Sequence, residues 1–320
     1  MKVGLVLHTW ALQEGEEPHF DALRATAKWA EAAGFDSLWL YDHVLFRSPG
    51  WPEGGMWECW TVLSALAEAT HRVELGPLVL CNGFRNPALI AKMATTLDEV
   101  SGGRLILGLG AGWNDVEFAA LGVPFDHRVA RFEEALQILC PLLRRGQVDF
   151  SGSYYAVRGG ENRPCGPRPA GPPLLIGAEG SRMLQLAARY ADLWNIGFLG
   201  MPESLVEPKA ALHAACAVVG RDPASIAITV LVGVGYPEEA TLPPRFGSAG
   251  FVTGSARELC AVLRGYAQLG VQHVVFDCAP DTTAVRARVA EGLRLFRAGE
   301  SVQPPTLPTS TQRRSWPWRR

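Results

Sequence analysis

Short apolar runs recur along this chain, and each is followed by a stretch whose apolar positions return at helical spacing. The first run, Val3 to Leu7, precedes Phe20, Leu23, Ala27 and Ala30, which share a helix face that Gly34 can end in a left-handed conformation. Ser37 to Tyr41 and a helix from about Glu58 to Ala69 repeat the unit. Val73 to Leu80 comes next, with a helix that Pro87 suits at its first turn. A fourth strand is expected at Arg104 to Leu109 with a helix around Val129 to Leu143, and a fifth at Pro173 to Ile176 with a helix from about Ser181 to Tyr190. Asp192 to Ile196, Ile226 to Val234 and Val271 to Phe276 complete the series, with helical segments after each. After the seventh strand, Ser255 with Glu258 three residues on marks a helix start.

Strands that are apolar throughout are buried on both faces, the condition of a parallel sheet covered by helices. Eight such units predict closure into a single-domain (β/α)8 TIM barrel over residues 1–298, with an open doubly wound sheet as the alternative. Three pieces stand outside the repeat. Leu45 to Trp60 is a long loop holding Phe46, Trp51, Met56, Trp57 and Trp60, more aromatic surface than a solvated loop needs. Gln147 to Pro173 carries Tyr154, Tyr155 and many prolines, and residues 299–320 read as a disordered tail despite Trp316 and Trp318.

At 320 residues and 48% hydrophobic content the chain can bury one large core. A formal charge of -2 and a pI near 6.4 supply no basic field, so nucleic acid and anionic membrane surfaces are not expected partners and a small molecule is. Seven scattered cysteines without a CxxC pair argue against a disulfide framework or zinc site and fit a reducing cytoplasm. No stretch approaches the roughly 20 apolar residues of a membrane span.

A barrel of this kind does its chemistry at the C-terminal ends of its strands. His43, at the end of strand two, is either a satisfied structural residue or an imidazole that moves a proton; its neighbour Asp42 points to the opposite face and reads as structural. Gly108 to Trp113 closes strand four with glycines at alternate positions, either a tight corner or a place where backbone amides approach a ligand. Gly177, Ala178, Glu179, Gly180 and Ser181 open a helix, so the segment is an ordinary turn or a phosphate cradle; Glu179 is expected to point away or pair with Arg182. His8 has no HxH partner for a metal, no GxSxG elbow is present, and the lysines at 2, 28, 92 and 209 reach no strand end. No metal is expected, and the shortage of protein nucleophiles points to an organic cofactor.

The run Arg85-Asn86-Pro87 through Thr96-Leu97-Asp98, continuing over Ser101-Gly102-Gly103-Arg104 to Gly112-Trp113, resembles the luciferase-like monooxygenase superfamily. Gly34 to Trp39, Asp42-His43, Ala187 to Asn195 and Tyr266 with Gly270-Val271 extend the resemblance from about Val3 to Phe296. Within that superfamily the chain looks most like the coenzyme F420-dependent oxidoreductases. The resemblance implies a luciferase-like barrel with loop insertions, hydride transfer at deazaflavin C5, a homodimer and His43 beside that carbon. It places a non-proline cis peptide at Leu78–Val79 behind the ring, Asn82 at the ring edge or ribityl chain, and Gly110, Ala111, Gly112 and Gly177 to Ser181 along the cofactor's chain and phosphate. Trp194 would close the site, and Trp10, Trp51, Trp57 and Trp113 would face an apolar or planar substrate, although an aromatic loop could equally be a dimer contact. The sugar-phosphate branch carries a glutamate where Trp113 stands and lysines this chain lacks, so glucose 6-phosphate is not the expected substrate. Two further readings remain: an FMN-dependent monooxygenase fed by a flavin reductase, and a flavin- or deazaflavin-binding protein without turnover.

Overall fold

The structure is a computed structural model, and it describes residues 1–10, 18–45, 47, 55–236 and 251–299. Trp51, Phe46 and the tail beyond Gly299 lie outside the described residues. The chain runs β1 (Lys2–Val6), α1 (Phe20–Ala32), β2 (Ser37–Leu40), α2 (Cys59–Ala69), β3 (Glu74–Pro77), β4 (Leu80–Cys81), α3 (Pro87–Val100), β5 (Leu107–Gly110), α4 (Asp115–Leu121) and α5 (Arg128–Arg145). It continues through β6 (Gln147–Ser151), β7 (Ala156–Glu161), β8 (Leu174–Gly177), α6 (Ser181–Tyr190), β9 (Leu193–Ile196), α7 (Val206–Val219), β10 (Ala227–Gly235), β11 (Phe251–Val252), α8 (Ala256–Gln268), β12 (His273–Ala279) and α9 (Thr283–Arg297).

Parallel pairing follows the order β3-β2-β1-β12-β10-β9-β8-β5-β4. The two ends of that path are halves of one expected strand, broken at a cis bond between Leu78 and Val79. Beside β3, Leu75 N–H donates to Arg104 O at 2.9 Å and Leu75 O accepts from Ile106 N–H at 2.8 Å, so the approach to β5 joins the circuit. Closure into a barrel is thereby complete and the open-sheet alternative is removed.

Side chains fill the barrel rather than leaving a pore, as the fold requires. Val6, Trp39, Leu78, Ile106, Leu175, Leu231 and Val275 form the interior cluster, while a larger apolar cluster packs the outside of the strands against the helices. Trp39 dictates two glycines. A Cβ at Gly4 would stand 2.8 Å from its Nε1, and one at Gly76 would stand 2.6 Å from its ring.

Local signals explain several boundaries. Gly34 adopts φ +95° after α1, Pro87 opens α3 behind an Asn86 cap, and Glu58 accepts from Trp60 and Thr61 N–H to cap α2. Ser255 and Glu258 form a complete capping box on α8. Ser255→Ala is expected to cost about 1 kcal/mol of stability, measurable as a lowered urea midpoint at unchanged slope.

Within the segment 147–173 that stands outside the repeat, β6 and β7 pair as an antiparallel ribbon. Its strands alternate half-buried and exposed residues, a weak pattern beside the continuous apolar staves. None of the described helices is long and apolar enough to cross a membrane.

Candidate active site

The C-terminal strand ends bring most of the expected residues to one mouth: His8 to Trp10 after β1, Tyr41 to His43 after β2, Leu78 to Asn82 around β4, Gly110 to Trp113 after β5 and Gly177 to Ser181 after β8. Val79 ties three of these together. A Cβ at Gly110 would lie 2.6 Å from its Cγ2, and one at Gly177 would lie 3.4 Å from both its methyl groups. Gly112 takes φ +79° and sits where a Cβ would meet Cys81 Sγ at 2.5 Å. Glycines here let β5 and β8 close onto the cis-bonded segment.

His43 Nδ1 lies 2.8 Å from Glu117 Oε2, and Glu117 is 1% exposed. The other oxygen of Glu117 accepts from Val44 N–H at 2.7 Å and from Leu45 N–H at 3.4 Å, so one buried carboxylate fixes both the ring and the backbone that carries it. Trp113 meets the His43 ring edge-on at 5.5 Å between centroids. Sequence reasoning missed Glu117 because α4 was not expected. Asn114 three residues before it, then Phe118 and a left-handed Gly122 stop, is the pattern of a short helix.

Asp42 has the structural part expected of it. It accepts from Cys81 N–H at 2.8 Å and from both terminal nitrogens of Arg85, at 2.7 and 2.9 Å. Arg85 also pairs with Glu58, so a single guanidinium ties the end of β2 to the α2 cap and the turn after β4. Its ionisation is held above the ordinary arginine value: burial opposes the charge, but Asp42 and Glu58 outweigh it. Burial pushes the neighbouring Cys81 thiol up to about 12, which keeps it neutral and unreactive.

Asn82 is 1% exposed, with Nδ2 donating to Tyr155 Oη at 3.4 Å and Oδ1 meeting no hydrogen-bond partner. Tyr155 is thus a mouth residue delivered by the ribbon, and its phenol is raised by burial. The α6 N-terminus has no side-chain cap, and a Cβ on Gly180 would meet nothing within 4 Å. Arg182 donates to Glu133 at 2.8 Å.

Trp194 has a different part from the contact expected. It is fully buried and donates Nε1–H to Ala178 O at 2.8 Å, so it acts behind the 177–181 segment and presents no face to the mouth. Trp10 stacks on His8 at 4.5 Å and on Tyr41 at 5.8 Å. Trp57 is 47% exposed, with Nε1–H donating to Pro18 O at 2.6 Å and backbone N–H donating to Thr9 O. Among the described residues no group of three or more His, Cys, Asp or Glu is placed to hold a metal ion.

Residues 1–240 match the luciferase-like monooxygenase family. The chain belongs to that family. Among its relatives is a 5,10-methylenetetrahydromethanopterin reductase of Archaeoglobus fulgidus, 35% identical over 165 residues that cover 52% of this chain and 46% of the relative. An F420-dependent glucose-6-phosphate dehydrogenase of Amycolatopsis mediterranei is 36% identical over 170 residues, 51% of this chain and 49% of the relative. The chain spans about half the length of these curated relatives. Its fold is shared with an F420-dependent secondary alcohol dehydrogenase solved with an F420-acetone adduct, at a TM-score of 0.77 and 19% identity over 92% of this chain and 99% of the other. A monooxygenase from Streptomyces bottropensis superposes at a TM-score of 0.76 with 21% identity, over 92% of this chain and 99% of the other. The luciferase-like barrel therefore accounts for the closed circuit of strands.

Proposed function

We propose that this luciferase-like protein is an F420-dependent oxidoreductase that exchanges a hydride with an organic substrate at the mouth of its barrel. The observation that carries the reading is the pairing of His43 with buried Glu117 at the same strand-end mouth as the Gly110–Gly112 and Gly177–Ser181 segments, the second of which opens an uncapped helix N-terminus. Relatives named for F420 chemistry support it. The residues present fit such a cofactor: Asn82 Oδ1 is a buried acceptor awaiting a donor, and the space beside Gly180 is open.

Gly177 to Ser181 would hold the phosphate through main-chain amides and the dipole of α6. Gly110, Ala111 and Gly112 would line the cofactor's chain and the Leu78–Val79 bulge would back the ring, with Asn82 fixing its edge or ribityl chain. Bound deazaflavin would supply the hydride at C5. His43, with Nδ1 engaged by Glu117, would hold or move a proton at Nε2, and Trp10, Trp57 and Trp113 would present apolar rings to the substrate and exclude water. Trp51 completes that proposed set from outside the described residues.

Fluorescence titration with F420 and with FMN tests the reading. F420 is expected to bind at least about tenfold more tightly, a difference of about 1.4 kcal/mol. FMN binding with no F420 binding would sink the proposal in favour of a two-component monooxygenase, since deazaflavin forms no peroxide adduct. F420 bleaching against alcohols, imines and enones then searches for the substrate. Glu117→Gln should keep F420 affinity and slow turnover by about 10-fold or more, because it removes the charge that orients His43.

A further inference from the structure

The mouth holds a second histidine–carboxylate pair that the role of His43 does not use. His8, two residues beyond β1, places Nε2 at 2.6 Å from Asp277 Oδ1 on β12. Tyr41 donates its hydroxyl to the other oxygen of Asp277 at 2.7 Å. An ionised Asp277 accepts from both neighbours, and in that arrangement the shared proton sits on His8 Nε2. This is the orienting arrangement by which an aspartate fixes a catalytic imidazole.

The other ring nitrogen is the informative one. His8 Nδ1 is buried and meets no hydrogen-bond partner, and the adjacent Thr9 Oγ1 is in the same condition. Asp281 Oδ2 stands 3.9 Å from Nδ1, beyond hydrogen-bond reach, and Asp281 is engaged by Arg286 at 2.8 Å. Trp10 covers the ring face, so His8 is held by one edge and one face while its remaining nitrogen points at no protein acceptor. Buried polar atoms left in this state call for an explanation, and at the strand-end mouth a catalytic role or a bound water supplies one.

Position gives the ligand's side. Around the circuit β1 lies four places from β8, directly across from the proposed phosphate cradle. The Tyr41 ring stands between the two pairs, 6.5 Å from the His43 ring. We propose that His8, oriented by Asp277 and Tyr41, is a second proton-transfer residue of this site, serving a substrate whose heteroatom gains a proton as its carbon gains the hydride. The assignment rests on the functional reading above. In that step the hydride adds to the carbon of a C=O or C=N bond, the π pair moves to the heteroatom, and that pair takes the proton from His8 Nδ1. The two electrons arrive with the hydride from reduced deazaflavin, and His8 regains its proton from water.

The described groups facing His8 are Asp277 from β12, Asp281 and Arg286 from the segment and helix after it, and Tyr41 from β2. Burial pulls the imidazole down, yet Asp277 and, less strongly, Asp281 outweigh burial and Arg286, so protonation persists above the ordinary histidine value. Burial and then Asp277 hold the Tyr41 phenol well above its usual value, and burial does the same for the Cys278 thiol, so neither competes as an acid. The donor is therefore charged on the acid side and lost as pH rises through the raised value.

Nitrogen-15 NMR of the labelled protein without cofactor, with His8→Gln to assign the ring, is the first arm of the test. A neutral ring protonated at Nε2, with Nδ1 taking up a proton as pH falls, is expected; a neutral ring protonated at Nδ1 overturns the proposal. The second arm follows turnover of F420 with the carbonyl compound or imine that bleaching identifies. His8→Gln should lower kcat by about 10²- to 10⁴-fold, leave F420 affinity within about twofold and abolish the high-pH limb of the rate profile. Turnover within about threefold of wild type, with that limb intact, removes His8 from the reaction. Failure of the wild-type protein to bind F420 would instead defeat the functional reading, leaving the NMR result to judge His8 alone.

Discussion

His43→Ala is expected to lower hydride transfer by about 10²- to 10⁴-fold while leaving F420 affinity close to that of the unaltered protein. The separation follows from the geometry. Glu117 holds His43 from behind, and the elements proposed for the cofactor's chain and phosphate belong to β5, β8 and α6, none of which His43 supports. Rapid mixing with F420, read at its absorbance maximum, gives the rate, and fluorescence quenching gives the affinity. Unchanged turnover would remove His43 from the mechanism. A parallel loss of affinity would show that the ring anchors the cofactor.

Arg85→Ala is expected to destabilise the fold by about 3–5 kcal/mol, the cost of leaving the buried Asp42 carboxylate without its partner. Asp42 is 5% exposed and takes two bonds from Arg85, and nothing else among the described residues offers it a cation. Arg85→Lys should recover only part of the loss, because an ammonium cannot reproduce the two-pronged contact while also reaching Glu58. Urea denaturation of both variants decides the matter. A change below about 1 kcal/mol for the alanine variant would mean that water replaces the guanidinium.

Much of the architecture was legible because continuous apolar staves and helical spacing have no other economical reading. The strands fell within a few residues of expectation, α6 spans Ser181–Tyr190 as anticipated, and the cis bond lies at Leu78–Val79 where the resemblance put it. The most recognisable stretch, Arg85 to Arg104, proves to be framework. Arg104 donates to the carbonyls of Ala67, Thr70, Val73 and Ser101, and Asp98, fully buried, binds Arg168. Many main-chain groups there depend on few side chains.

What stayed hidden were pairings across long separations. Glu117 meets His43 over 74 residues and Asp277 meets His8 over 269, distances at which periodicity carries no information. Trp194 illustrates the converse error: a strand-end tryptophan looks like a ligand-facing ring until Ala178 is seen to claim its N–H. The ribbon was not anticipated because its alternation is shallow and Gly152, Gly159 and Gly160 resemble the glycines of a loop.

The tip of that ribbon is clasped by one carboxylate: Glu134 on α5 accepts from Ser153, Tyr154 and Tyr155 N–H. The hairpin is also held by Arg131 stacked on Tyr154 and by Val148, Phe150 and Val157 packed on the core, so a replacement of different length leaves the staves alone only where those contacts and the clasp are kept. Tyr155 travels with it to the side of Asn82. Transplanting hairpins between members of this family is therefore a route to altering what the mouth admits while the scaffold stays untouched.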